Sequence, residues 1–199
     1  MKIRAVFFDV GGVILRTEYQ APREHLAERL NLTYEDIDAL VFGSESSRKA
    51  SVGAISAEEH WKNIARKVKH PVEQWQTMRE EFFAGDVADR DILAFLDSMR
   101  PQINTCVISN AWNDMREYLT LNRIKESFDE LIISGEVGFA KPDARIYQLA
   151  LDKMGVQAEQ AAFVDDTPAN VEAARSLGMQ GLVFSDTPQL LKGLKEILK

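Results

Sequence analysis

Asp9 ends the short apolar run Ala5–Phe8 and opens the turn Asp9-Val10-Gly11-Gly12. Other polar groups stand in the same relation to later apolar runs. Ser109 and Asn110 close Ile103–Ser109, and the pair Asp165-Asp166 closes Ala161–Asp165. Lys141 follows a further run, Glu130–Ser134, after the loop Gly135–Ala140. A carboxylate can attack phosphorus and form an acyl phosphate. A lysine neutralises the equatorial phosphoryl oxygens, and a divalent ion screens two anionic partners from each other. The set therefore suits phosphoryl transfer. Singly, each group has an ordinary structural use: an Asp or Ser-Asn cap, an exposed acidic turn, or a Lys-Pro in a first helical turn. Their conjunction at successive run ends carries the reading.

Those runs must be strands for the groups to meet. Ala5–Phe8, Ile103–Ser109, Glu130–Ser134, Ala161–Asp165 and Gly181–Phe184 are short, apolar and bounded by turn residues, as buried parallel strands are. Between them lie patterns of helical period: Asp89–Met99, Asp114–Leu121, Arg145–Met154 with Gly155 as its C-cap, Ala169–Leu177, and Leu190–Leu198. This alternation predicts an α/β fold, a doubly wound, Rossmann-like parallel sheet with right-handed crossovers. Ligands in such sheets bind beyond the carboxyl ends of the strands, where these polar groups stand.

Residues 16–86 break the alternation. They read as helices at Glu24–Leu30, Tyr34–Phe42, Ala57–Val68 and Val72–Phe83, with Thr33 and Ser56 as N-caps. Ser56 with Glu59 also matches a capping box. A segment this long is no βα loop. The expected organisation is a core domain of residues 1–15 and 87–199 with an inserted helical cap domain of residues 16–86. Trp61, Trp75, Phe42, Phe82 and Phe83 stand at helical spacing, which makes them core residues of the insertion, with a sugar-facing pocket as the alternative. Glu18 and Tyr19, in the linker, stand close enough to the first turn to reach a site there.

The bulk numbers agree. The 199 residues are 45% apolar, enough for a core without staples, and the net charge of −7 argues against a nucleic-acid binder. The single Cys106 lies within an apolar run and reads as a buried hydrophobe. His25, His60 and His70 show no metal-ligand spacing. Asp9 interrupts the first apolar run too early for a signal peptide, and no stretch reaches the length of a membrane span. A cytoplasmic protein without a membrane partner is the expectation.

The runs and their ends resemble the haloacid dehalogenase-like superfamily. Phe7-Phe8-Asp9-Val10-Gly11-Gly12 is similar to its first motif, Val107-Ile108-Ser109-Asn110 to its second, Gly138-Phe139-Ala140-Lys141-Pro142-Asp143 to its third, and Phe163-Val164-Asp165-Asp166-Thr167 with Asn170 to its fourth. The resemblance implies that Asp9 is the nucleophile and a Mg²⁺ ligand. The Gly11 carbonyl and Asp166 would be further ligands, and Asp165 would meet the ion directly or through water. It also implies that Ser109 and the Asn110 backbone hold the phosphoryl group and that Lys141 pairs with Asp9. The implied partner is a small phosphorylated metabolite, a sugar phosphate favoured. Two positions depart from the pattern. Gly11 stands where most phosphatases of the superfamily carry a general acid, and Asn170 stands where an acidic residue is common. The pattern with Gly11 is similar to that of sugar-1-phosphate phosphatases. A 2-haloacid dehalogenase, which needs no metal, and a silent phosphate-binding protein are the alternatives. Asp165-Asp166 suits a cation and argues against the first, and intact Asp9, Lys141 and Asp166 argue against the second.

Overall fold

The computed structural model of the protein describes residues 2–199. Five parallel strands, β1 (Ala5–Phe8), β4 (Asn104–Ser109), β5 (Glu130–Ile133), β6 (Ala161–Asp165) and β7 (Gln180–Val183), form one sheet in the order β5-β4-β1-β6-β7. The order reverses between β1 and β6, so the crevice expected of a doubly wound sheet opens at the end of β1. Every residue of β1 is buried, because both faces of the sheet are covered. Val6 and Phe8 point to one core layer with Ile92, Leu96 and Leu194, from helices α6 (Arg90–Met99) and α11 (Thr187–Ile197). Ala5 and Phe7 point to the other, with Ile146, Tyr147 and Ala174 from α9 (Ala144–Met154) and α10 (Pro168–Ser176). α7 (Met115–Leu121) adds Leu119 to the first layer.

Between the first and second strands of this sheet the chain is mostly helical. α1 (Ala21–Arg29), α2 (Tyr34–Gly43), α3 (Glu45–Ser51), α4 (Ala57–Lys67) and α5 (Trp75–Phe83) enclose a third apolar cluster around Leu26, Val41, Trp61, Met78 and Phe82. Its stem is an antiparallel pair, β2 (Leu15–Thr17) with β3 (Asp86–Ala88), in which Thr17 faces Asp86. The backbone N–H groups of Glu18 and Tyr19 both donate to the Gly85 carbonyl, at 3.1 Å. A Cβ on Gly85 would overlap the Tyr19 carbonyl, so only glycine lets the two linkers approach so closely.

Several expectations are corrected locally. Val72–Phe83 is not one helix: a 3₁₀ turn over Val72–Gln74 precedes α5. Ser56 accepts from the Glu59 N–H at 3.1 Å, but the reciprocal bond is absent, because Glu59 pairs with Arg66. The full capping box forms instead between Thr33 and Asp36. Ser134 ends no strand and begins a single-turn helix, α8 (Ser134–Val137). Gly155 adopts the expected left-handed C-cap at φ 63°. No helix among the described residues is long and apolar enough to cross a membrane.

Candidate active site

Asp9 directly follows β1, its N–H still donating to the Val164 carbonyl of β6 at 2.9 Å, and is largely buried, with 9% of its surface exposed. Its Oδ1 accepts from the Val10 N–H at 2.7 Å and faces Lys141 Nζ at 3.0 Å. No hydrogen bond among the described residues reaches Oδ2. Burial pushes the carboxyl up to about 6, with Lys141 opposing and Asp165 reinforcing the shift.

Lys141 is the hinge of the charge arrangement. Its side chain is fully buried, and Nζ also donates to Asp165 Oδ2 at 2.6 Å. Asn110 fixes its backbone from both sides: Oδ1 accepts from the Lys141 N–H at 2.7 Å, and Nδ2 donates to the Lys141 carbonyl at 2.9 Å. The Asn110 side chain is therefore a clamp between the ends of β4 and the Lys141 loop, whatever its backbone does for a ligand.

Asp165 is wholly buried, and both of its oxygens are engaged. Oδ1 accepts from the Thr167 N–H at 2.8 Å, and Asn170 Nδ2 donates to each oxygen at 3.1 Å. Asn170 is in turn held by Tyr147, whose hydroxyl donates to its carbonyl at 2.8 Å. This explains the amide at position 170. A carboxylate there would face Asp165 without a donor between them. Asp166 differs: it is exposed, with only a 3.3 Å bond from the Thr167 hydroxyl. A Cβ on Gly12, at φ +76°, would overlap the Asp166 carboxylate, so this glycine clears the space that Asp166 occupies.

One ligand atom from each of Asp9, Asp165 and Asp166 can be chosen so that all lie within 4.8 Å of one another. Three carboxylates against one lysine leave an excess of negative charge in hard oxygen donors, a donor set that fits Mg²⁺. Ser109, 2% exposed at the end of β4, lines the same chamber as Asp9, Gly11, Asn110 and Asp166. The chamber measures about 850 Å³ and reaches the helical insertion at Phe42, Arg48, Arg79 and Phe83. Residues at the ends of four different strands or their following loops thus converge on one cavity.

Residues 3–178 match the haloacid dehalogenase-like hydrolases, most of the chain. The chain belongs to that family. A relative from Thermotoga maritima named a phosphorylated carbohydrates phosphatase is 26% identical over 191 residues, covering 92% of this chain and 87% of the relative. A bifunctional epoxide hydrolase 2 from Rattus norvegicus is 33% identical over 98 residues, covering 47% of this chain. The chain aligns with only 18% of that relative's length. Among solved structures, a family enzyme from Bacteroides thetaiotaomicron in complex with magnesium and inorganic phosphate superposes with a TM-score of 0.80 at 18% identity, covering 94% and 98% of the two chains.

Within this haloacid dehalogenase-like hydrolase, the aromatic residues of the insertion divide. Trp61 and Phe82 are core, while Phe42 and Phe83 line the chamber. Trp75 packs part-buried against the insertion's core. Glu18 pairs with Arg16, and Tyr19 is 66% exposed; neither lines the chamber. Sequence reasoning passed over two features. Trp112, in the loop after β4, belongs to the insertion's apolar cluster and also lines the chamber. Its nearness to Asn110 was the available signal. Arg79 of α5 pairs with Asp114 at 2.8 Å across the chamber's rim, a contact between distant residues that no local pattern announces.

Proposed function

We propose that the protein is a Mg²⁺-dependent phosphatase that hydrolyses a small phosphorylated metabolite through an aspartyl-phosphate on Asp9. The observation that carries this is Lys141 held between Asp9 and Asp165 while Asp166 stands beside them in space cleared by Gly12. In this reading Asp9, Asp166 and the Gly11 carbonyl hold the metal. Asp165 lies behind them as the residue that positions Lys141. When bound, Mg²⁺ supplies the positive charge that lets a phosphate dianion approach a carboxylate. Asp9 Oδ1 is held by Val10 and Lys141, so Oδ2 is the oxygen free to attack. Its bond to phosphorus forms as the ester P–O bond breaks, and the leaving oxygen departs with the bonding pair. Ser109 and Lys141 hold the phosphoryl oxygens meanwhile. Water then cleaves the acyl phosphate, returning the Asp9 carboxylate and inorganic phosphate.

The motif resemblance puts sugar phosphates first among substrates to assay, as does the name of the Thermotoga maritima relative. With an activated aryl phosphate and Mg²⁺, Asp9→Asn is expected to lower turnover by roughly 10³-fold or more. Chelation should remove activity, and Ca²⁺ should inhibit, because its looser coordination lets the carboxylate turn from in-line attack. Acid-quenched protein should carry a phosphoryl group on the peptide containing Asp9. Full turnover in the Asn variant, or a phosphoryl group on another peptide, refutes the covalent mechanism. Activity in chelator on a haloacid alone would mark a dehalogenase instead.

A further inference from the structure

Beyond the phosphate end, the chamber wall is apolar and aromatic. Phe42 is 49% exposed and Val52 37%, and both face this cavity. The Phe42 ring lies 6.2 Å from Trp112 at an interplanar angle of 22°, and 6.2 Å from Phe83. Leu15 and Met115 extend the same surface. Apolar rings left facing a concave site, rather than scattered over a convex surface, mark the place where a ligand's apolar body sits.

Several polar groups of the wall are already engaged, although Arg79 Nε is buried without a partner among the described residues. Asp114 is paired with Arg79 at 2.8 Å, Asp86 accepts from the Thr17 hydroxyl at 2.7 Å, and Arg48 donates to the Gly43 carbonyl at 2.7 Å. A sugar's ring of hydroxyls would find few free partners there, the Tyr118 hydroxyl being one. Gly11 supplies no acid to the leaving oxygen, and no heavy atom lies within 4 Å of where its Cβ would stand. The leaving group must therefore be one that departs readily as an anion.

Wall and missing acid point to the same chemistry. We infer that the preferred substrates are phosphomonoesters of aromatic alcohols, the ring seated against Phe42, Phe83 and Trp112. This rests on the phosphatase reading and narrows its substrate class away from sugar phosphates.

The test compares kcat/KM for acetyl phosphate, phenyl phosphate, 2-naphthyl phosphate and glucose 1-phosphate, all with Mg²⁺. Phenol and 2-naphthol have similar acidities, so the naphthyl-to-phenyl ratio reads the wall rather than the bond broken. That ratio should be about tenfold, chiefly in KM, and glucose 1-phosphate should trail both aryl esters. Phe42→Ala, or Phe42→Leu where the alanine variant folds poorly, should bring the ratio down several-fold toward one. A wild-type ratio near one, a ratio unchanged by both variants, or a preference for glucose 1-phosphate overturns the inference while acetyl phosphate turnover leaves the phosphatase reading intact. Loss of turnover on every phosphate, acetyl phosphate included, overturns both.

Discussion

Gly11 and Gly12 are adjacent and have opposite needs. Gly11 does not occupy the left-handed region and has open space at its Cβ position, so the turn accepts a side chain there. Gly12 has φ +76° and abuts Asp166, so it does not. Gly11→Asp is therefore expected to fold normally and to place a carboxylic acid near the leaving oxygen. General acid catalysis is typically worth about 10²–10⁴-fold. The gain should appear for alkyl phosphates and little for aryl ones, flattening the plot of log rate against leaving-group pKa. An equally steep plot in the variant would show that position 11 does not reach the leaving oxygen. Gly12→Ala should instead displace Asp166 and raise the Mg²⁺ concentration for half-maximal activity by about tenfold or more. Unchanged Mg²⁺ dependence would remove Asp166 from the metal site. Both glycines are visible in the sequence, yet only the backbone dihedral and the neighbouring carboxylate tell them apart. The same holds for Asn110 and Asn170: their positions were legible, but not the clamp on Lys141 or the two bonds to Asp165.

At the scale of elements, legibility followed burial. β1, β4, β5 and β6 are apolar runs because most of their residues are buried, whereas β7 at the sheet edge buries none, and α6, α9 and α11 show clear apolar stripes. What escaped was held by contacts the pattern does not encode. α3, Glu-Ser-Ser-Arg-Lys-Ala-Ser, is almost wholly polar and buries only Ser47 and Ala50. β2 and β3 have three residues each and are fixed by pairing to each other. The stem they form is reinforced by Arg23, buried against Phe82 with its guanidinium 3.9 Å from the ring centroid and paired to Asp38 at 2.8 Å. Gly85 closes the stem, and a side chain there must push the Tyr19 carbonyl away and break two backbone bonds. Gly85→Ala should accordingly cost about 2 kcal/mol or more in urea unfolding. The neighbouring Ala84→Gly, with no such contact to break, serves as the reference. Equal midpoints for Gly85→Ala and wild type would mean that the linkers are not locked together.

At the scale of the molecule, two buried groups, His60 in the insertion and Asp9 at the sheet, set how stability responds to acid. His60 is fully buried in the insertion, 4.5 Å from the Trp112 ring and 5.9 Å from that of Trp61. Val41's carbonyl, 3.0 Å from Nε2, can only accept, so Nε2 carries the proton and Nδ1 accepts from the Ser46 hydroxyl at 2.9 Å. Burial lowers the imidazole to about 4. Between about 4 and 6.5 the unfolded chain thus holds a proton that the folded chain lacks, and stability is lost as pH falls through that window. Asp9 acts in the opposite sense. Burial raises its carboxyl to about 6 from 3.8, so the folded chain holds a proton that the unfolded chain has given up, and stability falls as pH rises through nearly the same window. Each shift is worth on the order of 3 kcal/mol. In metal-free protein the two oppose each other, so unfolding free energy should depend on pH less steeply between pH 4 and 6.5 than either group alone would dictate. Removing either unmasks the other. Asp9→Asn should leave stability rising with pH across the window, and should make the metal-free protein more stable than wild type at pH 7. His60→Gln, which can keep both hydrogen bonds, should leave stability falling with pH. Mg²⁺ binds the deprotonated carboxylate and should reproduce the Asp9→Asn slope in wild type. Urea unfolding at half-unit pH steps, with and without Mg²⁺, measures all four slopes. If both variants follow the wild-type profile in parallel, neither group titrates as its burial dictates.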